Sequence, residues 1–429
     1  MFRLFRSDFF NFEALRLLSF TAHEGGEIAE FFTAVARIKD QDEESWYAAW
    51  MEAADKAEAL ATEAELAGNR VAARRAYLRV ANYQRSAQFM LNGLPGTDSR
   101  LLTASEAAIS NFSRAAALFD WSYHRVDIPY EEGLDLPGYV FLPHPSTRLP
   151  GGKLPLLIQT VGADATQEEI FYIFPMAALE LGYAVLTFEG PGQGIVIRRH
   201  GVPMRPDWET VVGKVLDFTE GYATAHPEFD LDLARIALVG SSMGGHLALR
   251  GAADPRIRAC IAVDPFYTMF DLLKSRMPDP VTNTFVAGGF VPDAGWDYVF
   301  GLLGRFNPMT RWEFDFGRWM LGVPTAAQML RRMQEYTLGT SDGVGFLPRI
   351  RCPVLVTGAR FSLYSQPEVS TQRIFEELVN VPLDQKEMWV AEDTAEGGLQ
   401  SKVGAFTVLT TKSFAWLDRM FGIERKIHL

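Results

Sequence analysis

The segment at residues 240–244, with the sequence GSSMG, contains the residues whose types and spacing best suit nucleophilic chemistry. An apolar, strand-like run precedes it and a helix-like run follows it. In such a strand–turn–helix, the central serine sits on a strained turn that lifts its hydroxyl clear of the sheet. Gly240 and Gly244 leave room for neighbouring backbone, and the Met243 N–H points to where an oxyanion would form. The pattern predicts Ser242 as a nucleophile.

A second oxyanion donor is expected from residues 159–169, which lie between an apolar run and a helix start. The backbone N–H of Ala163 or of Asp164 would serve this purpose. Asp164 is also a candidate N-cap of the following helix, because aspartate accepts hydrogen bonds from the first free N–H groups. The sequence leaves these two roles of Asp164 open.

The partners of a nucleophilic serine are difficult to find in this chain. A base must take the serine proton and an acid must orient that base, and both should follow the serine in chain order. Of the seven histidines, only His428 follows the last predicted strand, and it is the penultimate residue. His246 is suited to packing under the sheet, with contact to the site as the alternative. Asp264 is either a relocated acid or the opening of an Asp-Pro turn.

Three further polar residues lie at predicted strand ends, where pocket residues gather. Tyr267 and Tyr364 are candidates for an acidic hydroxyl, and Tyr364 is favoured because it follows the seventh strand, close to the expected acid. Glu189 ends the fourth strand and is a candidate pocket residue. The alternative is that the Gly-Pro-Gly-Gln-Gly loop after Glu189 only sets the backbone shape.

The elements that must position these residues fall into two regions. Residues 1–120 have apolar residues at helical spacing and predict a helical N-terminal domain. Residues 121–429 predict an α/β domain, because short apolar runs separated by helical segments indicate a mostly parallel sheet covered on both faces. The six clearest runs are residues 154–159, 184–188, 236–239, 260–263, 354–357 and 387–390.

This alternation stops at about residues 270–349, a stretch rich in aromatic residues between two sheet strands. Such an insertion predicts a helical lid, and the alternative is extra helices that pack on the core. As a lid it would line a substrate pocket with Phe285, Trp296, Trp312 and Trp319.

Two further segments, TFEGPGQG at residues 187–194 and MRPDWE at residues 204–209, resemble the fungal yellowish-green pigment hydrolases when taken with the serine turn. The tail is closer to the fusarin- and cytochalasan-cluster hydrolases. The resemblance implies an α/β-hydrolase fold with a helical N-terminal domain and a role in polyketide maturation. It also implies a degenerate triad, because the family's Asp and His fall at about Phe361 and Leu399, whose side chains cannot relay a proton.

Composition excludes several other functions. The net charge of −12 and the lack of a dense basic run argue against nucleic acid and anionic membranes as partners. Cys260 and Cys352 lie in apolar runs, so we expect buried thiols, no disulfide framework and no metal site. With no signal peptide or spanning segment recognised, the expected location is cytoplasmic. No cofactor is predicted. The Ala-rich N-terminal helices would either cover the pocket or form the interface of a homodimer.

Three functions are compatible with these patterns. Loss of the base from a serine triad costs about a million-fold in turnover, whereas the oxyanion hole and binding alone retain roughly a thousand-fold over water. The leading hypothesis is therefore non-hydrolytic aldol or Knoevenagel cyclisation of a hydrophobic polyketide or polyketide–amino-acid intermediate. The second is hydrolysis of an ester, thioester or carbon–carbon bond with a rearranged triad. The third is a non-catalytic ligand-binding protein that retained the fold.

Overall fold

The computed structural model describes residues 2–93, 98–149, 152–274, 277–339 and 345–425. These residues form one eight-stranded sheet. Its strands are β1 (Ser122–Glu131), β2 (Leu134–Leu142), β3 (Leu154–Thr160), β4 (Ala184–Phe188), β5 (Leu231–Ser241), β6 (Ala259–Val263), β7 (Val354–Ala359) and β8 (Lys386–Ala391). The strand order is β1-β2-β4-β3-β5-β6-β7-β8. β2 pairs antiparallel with β1 and β4, and the other pairs are parallel. The predicted α/β class is confirmed.

The apolar runs of the sequence become central strands because both faces of the sheet are covered. Every residue of β3, β4 and β6 is buried. Leu156 and Ile158 join one apolar cluster, whereas Leu157 between them joins another. Successive side chains of a strand point to opposite faces, so each face requires its own layer of helices.

The region before the sheet is helical, as predicted. Its helices are α1 (Asp8–Ser19), α2 (Ile28–Val35), α3 (Glu43–Leu66), α4 (Arg70–Phe89) and α5 (Ser99–Ala116). Side-chain caps fix several starts, since Ser7, Asp42, Asn69 and Asp98 each accept a backbone N–H at the helix N-terminus. That these helices form a separate domain, or pair two subunits, stays a prediction.

The remaining helices cover the sheet and fill the predicted insertion. They are α6 (Gln167–Ile170), α7 (Phe174–Glu180), α8 (Gly194–His200), α9 (Trp208–Ala225), α10 (Met243–Gly251), α11 (Asp271–Lys274), α12 (Asp279–Ala287), α13 (Asp293–Phe306), α14 (Pro308–Leu321), α15 (Ala326–Met333), α16 (Thr371–Glu377) and α17 (Phe406–Phe421). α11 to α15 lie between β6 and β7 in the chain. In the described segments, no helix has both the length and the apolar character needed to cross a bilayer.

Candidate active site

Ser242 occupies the sharp turn between β5 and α10. Its backbone angles are φ 55° and ψ −117°, a strained conformation for a residue with a side chain. Its N–H donates to the Val263 carbonyl oxygen at 2.8 Å. A Cβ on Gly240 would lie 2.0 Å from the Gly244 carbonyl oxygen, and a Cβ on Gly244 would lie 3.0 Å from the Thr160 carbonyl oxygen. The two glycines therefore allow the turn to close, and Ser242 projects from it.

The loop after β3 lies directly against this turn. A Cβ on Gly162 would be 3.4 Å from the Ser241 carbonyl oxygen. Thr166, not Asp164, caps α6, because the Thr166 hydroxyl accepts the Glu169 N–H. Within the described chain, neither the Ala163 nor the Asp164 N–H donates to a protein acceptor. Both remain available as oxyanion donors, together with the Met243 N–H at the first position of α10.

A cavity of about 500 Å³ opens above Ser242. Ser242, Met243, Ala163 and Asp164 lie at its base, and helix α1 contributes Phe12 and Arg16 to its wall. The insertion supplies a further apolar wall that includes Phe300, Leu303, Met309, Trp312, Phe316 and Met320. The volume suits a small molecule with a long apolar chain.

Asp264, at the end of β6, has a lysine rather than a histidine as its partner. The Lys402 Nζ lies 2.8 Å from the Asp264 Oδ1, and both side chains are buried. The Thr357 hydroxyl donates to the same oxygen at 2.7 Å. Lys402 also donates to the Gly358 carbonyl oxygen at 2.6 Å. Asp264 is thus buried beside the site but outside the cavity lining, and its role as a relay acid stays a prediction.

The positions at which the resemblance places Asp and His lie close together. The Phe361 N–H donates to the Gly398 carbonyl oxygen at 2.8 Å, so the loops after β7 and β8 are paired. Leu399 is buried in an apolar cluster, whereas Phe361 is half exposed. Of the histidines in the described residues, none lines the cavity. His428 lies outside those residues.

A family model described as "Alpha/beta hydrolase family" matches residues 162–394, more than half of the chain. The chain belongs to the α/β-hydrolase family. It is 50% identical over 427 residues to the alpha/beta hydrolase psoB of Aspergillus fumigatus, covering 99% of this chain and 96% of that protein. It is 44% identical over 428 residues to the 20-hydroxy-prefusarin hydrolase FUS2 of Gibberella moniliformis, covering 100% of both.

Solved structures agree with this family fold. The crystal structure of 2,6-dihydroxy-pseudo-oxynicotine hydrolase superposes with a TM-score of 0.71 at 20% identity, covering 96% of this chain and 97% of that one. The resemblance to fungal hydrolases noted in the sequence is confirmed by the curated relatives, which are fungal and include one named for prefusarin. At 20% identity, the solved structure supports the fold alone.

His246 is poorly suited to act as a general base toward Ser242. Its ring stacks on Phe266, a lining residue, with the centroids 4.6 Å apart, but His246 does not itself line the cavity. Its Nδ1 lies 3.1 Å from the Phe266 carbonyl oxygen. Burial lowers the pKa of His246 to about 3, which makes the imidazole a very weak base. The structure therefore places His246 in a packing position outside the cavity lining.

Neither the Glu189 side chain nor the Tyr267 side chain lines the cavity. The Glu189 carboxylate accepts the N–H of Gln167 and of Ile195, at 2.9 and 2.6 Å. Burial and the Glu168 carboxylate raise the pKa of Glu189 to about 7. Glu189 thus shapes the loop, which was the alternative interpretation.

The Tyr267 side chain is buried, and its hydroxyl donates to Glu377 at 2.7 Å. Burial raises the pKa of Tyr267 to about 12. Tyr364, in contrast, does line the cavity, as its position after the seventh strand indicated.

Only one of the four aromatic residues predicted from the insertion lines the cavity. Trp312 does so, and its Nε1–H donates to the Phe89 carbonyl oxygen at 3.0 Å, which ties α14 to α4. Phe285 and Trp296 pack edge to face on each other, and Trp319 packs on Phe316. These three lie outside the lining because the sequence does not reveal which face of each helix turns inward.

The sequence analysis missed a charged cluster at the N-terminal wall of the cavity. Arg16 binds Glu169 through two hydrogen bonds of 2.6 and 2.8 Å, and its Nη1 lies 3.3 Å from Glu13 and 3.4 Å from Asp164. Arg85 lies 3.2 Å from Glu169. Burial raises the pKa of Glu13 to about 7, although Arg16 opposes this. The sequence feature that could have revealed this cluster is the presence of two charged residues, Glu13 and Arg16, within the apolar sequence of α1.

Proposed function

We propose that this protein is a biosynthetic enzyme of fungal secondary metabolism. Its substrate is a hydrophobic polyketide or polyketide–amino-acid intermediate, and its reaction is an aldol- or Knoevenagel-type condensation that closes a ring and releases water. One observation carries the proposal: an apolar cavity surrounds Ser242, and no histidine of the described residues lines it. The fungal relatives, one of them named for prefusarin, support the substrate class.

The reaction needs an electrophile site, and the serine turn supplies one. An aldehyde oxygen would accept the N–H of Met243 and that of Ala163 or Asp164, all at the base of the cavity. The Ser242 hydroxyl would donate a further hydrogen bond. None of these roles requires an activated serine, whereas hydrolysis through an acyl-enzyme does.

The walls of the cavity favour condensation over reaction with water. Helix α1 and the insertion line the cavity with apolar side chains, among them Phe12, Phe300 and Met320. Such a lining reduces contact of the substrate with water and holds the two ends of a flexible chain near each other. Ring closure within one molecule gains most from this confinement.

Hydrolysis is the second candidate, and the intact strained turn at Ser242 favours it. The names of the relatives psoB and FUS2 also describe hydrolases. This candidate predicts that a fluorophosphonate labels Ser242 rapidly, because hydrolysis needs an activated hydroxyl. The condensation proposal predicts labelling no faster than that of an ordinary serine.

The decisive experiment incubates the purified protein with a long-chain β-ketoamide that carries a terminal aldehyde. The proposal expects the dehydrated cyclic product to form at least about a hundred-fold faster than in buffer, with Ser242→Ala slower than the wild type. Ser105→Ala is the matched control, because the Ser105 hydroxyl only donates to the Leu101 carbonyl oxygen inside α5. A rate equal to that in buffer contradicts condensation, and an unchanged rate in Ser242→Ala contradicts the role given to Ser242.

A further inference from the structure

Polar side chains interrupt the apolar lining of the cavity, and three of the charged ones, Arg16, Asp164 and Glu169, belong to a single cluster. Glu13 and Arg85 complete this group through their contacts with Arg16 and Glu169. Three carboxylates and two guanidinium groups are costly to bury, and such clusters beside a cavity are candidates for function. We propose that the Asp164 carboxylate is the general base of the condensation. This inference rests on the proposed function and identifies the group that removes the substrate C–H proton.

Asp164 is the carboxylate of this cluster that remains able to reach a ligand. Its side chain is 26% exposed, against 2% for both Glu13 and Glu169. In the described chain its side chain makes one hydrogen bond, from Arg16 to Oδ2 at 3.4 Å, so Oδ1 has no protein donor. Glu169, in contrast, is held by two bonds from Arg16 and by Arg85. A base must have a lone pair free to accept the proton.

The position of Asp164 in the chain also fits this role. It belongs to the loop that offers the Ala163 and Asp164 N–H groups, and Gly162 of that loop contacts the serine turn. Its side chain does not cap α6, because Thr166 does. The base and the electrophile site are therefore presented by one short segment, so an enolate formed at Asp164 would lie beside the aldehyde.

Arg16 provides a hydrogen-bond donor for a dicarbonyl substrate in the same part of the cavity. Its Nη1 makes only long contacts to Glu13 and Asp164, at 3.3 to 3.4 Å, whereas its Nε and Nη2 bind Glu169 closely. A substrate oxygen that carries enolate charge would be a stronger acceptor for the Nη1 N–H. The substrate class that fits is a β-dicarbonyl compound, in particular a β-ketoamide, with a long apolar chain and an aldehyde.

The proton transfers balance with Asp164 as the only base. Asp164 takes a proton from the carbon between the two carbonyls, and that carbon attacks the aldehyde carbon. The protonated Asp164 returns its proton to the new alkoxide, giving a β-hydroxy compound. Asp164 then removes the second proton of the same carbon, the C–O bond breaks, and the leaving hydroxide takes the proton from Asp164. The net change converts one CH₂ group and one aldehyde into a C=C bond and water, with no oxidant or reductant.

The test separates proton removal from bond formation. A long-chain β-ketoamide without an aldehyde is incubated with the enzyme in deuterated buffer, and uptake of deuterium at its acidic carbon is followed by mass spectrometry. The wild type should accelerate this exchange. Asp164→Asn should lose about a hundred-fold or more of the acceleration, as expected for a missing general base. Asp127→Asn is the matched control, because Asp127 is an exposed residue of the edge strand β1.

Loss of activity through misfolding is distinguished by chemical rescue. Asp164→Ala with added formate should recover part of the exchange, and a merely structural role would not give this result. Exchange by Asp164→Asn at the wild-type rate overturns the inference. So does a wild type that forms the cyclic product but accelerates no exchange, and in that case the proposed function stands. A wild type that accelerates neither reaction overturns both proposals.

Discussion

The Lys402 Nζ lies 2.8 Å from the Asp264 Oδ1, with both side chains buried at the edge of the site. A carboxylate after β6 is therefore present, but an ammonium group neutralises it where a hydrolase would use such an acid to orient an imidazole. The pair joins the segment after β8, which carries Lys402, to the end of β6, and Lys402 also binds the carbonyl oxygen of Gly358 in β7. The serine turn thus remains intact while its acid is committed to a structural contact.

Removal of this lysine should destabilise the fold strongly. Lys402→Met leaves the Asp264 carboxylate buried without a countercharge, and we expect a loss of about 3–5 kcal/mol in the free energy of unfolding. Urea denaturation monitored by circular dichroism measures this loss. The double variant Lys402→Met with Asp264→Asn should recover much of it, whereas the exposed Lys214→Met should change little. Equal stability of Lys402→Met and the wild type would contradict a buried ion pair.

Introduction of an aspartate at position 361 and a histidine at position 399 should create hydrolase chemistry. Because the Phe361 N–H binds the Gly398 carbonyl oxygen, side chains at positions 361 and 399 start from adjacent loops. We expect the double variant Phe361→Asp with Leu399→His to react with a fluorophosphonate at least about a hundred-fold faster than the wild type. Phe361→Asn with Leu399→His is the control, since it keeps the imidazole but lacks the charge that orients it. Rapid labelling of the wild type itself would show that another base already activates Ser242.

The glycines of the turn should not tolerate a side chain. A Cβ at Gly240 would stand 2.0 Å from the Gly244 carbonyl oxygen, so Gly240→Ala must distort the turn. We expect a loss of more than about 3 kcal/mol of unfolding free energy, together with loss of product formation. Gly213→Ala is the matched control, because nothing lies within 4 Å of its Cβ position in α9. That variant should be about 0.5–1 kcal/mol more stable than the wild type, and thermal melting compares the two.

Glu13 should make stability depend on pH. Its pKa is raised from 4.5 to about 7 in the folded protein, so the folded state binds more protons than the unfolded state between these values. Ionisation of Glu13 therefore lowers the free energy of unfolding as the pH rises from 4.5 to about 7, by at most about 3 kcal/mol. The stability of Glu13→Gln relative to that of the wild type should therefore be higher at pH 8 than at pH 5. The exposed Glu63→Gln should show no such difference, and parallel curves for Glu13→Gln and the wild type would contradict the buried carboxyl.

The sequence by itself determined the features that depend on neighbouring residues. The apolar runs specified the strands β3 to β8, helical spacing specified the helices before the sheet, and the Gly-x-Ser-x-Gly pattern located the strained turn at Ser242. These elements follow from local sterics and from the burial of one or both faces, and both leave a periodic pattern.

Only the tertiary structure decided which charged residues meet. Arg16 and Asp164 are 148 positions apart and come together because α1 packs over the loop after β3. Lys402 reaches Asp264 in the same way, through the order of the parallel strands. In the insertion, Trp312 lines the cavity while Phe285, Trp296 and Trp319 do not. The rotation of a packed helix, and the partner of a buried charge, depend on contacts between distant segments that no local pattern records.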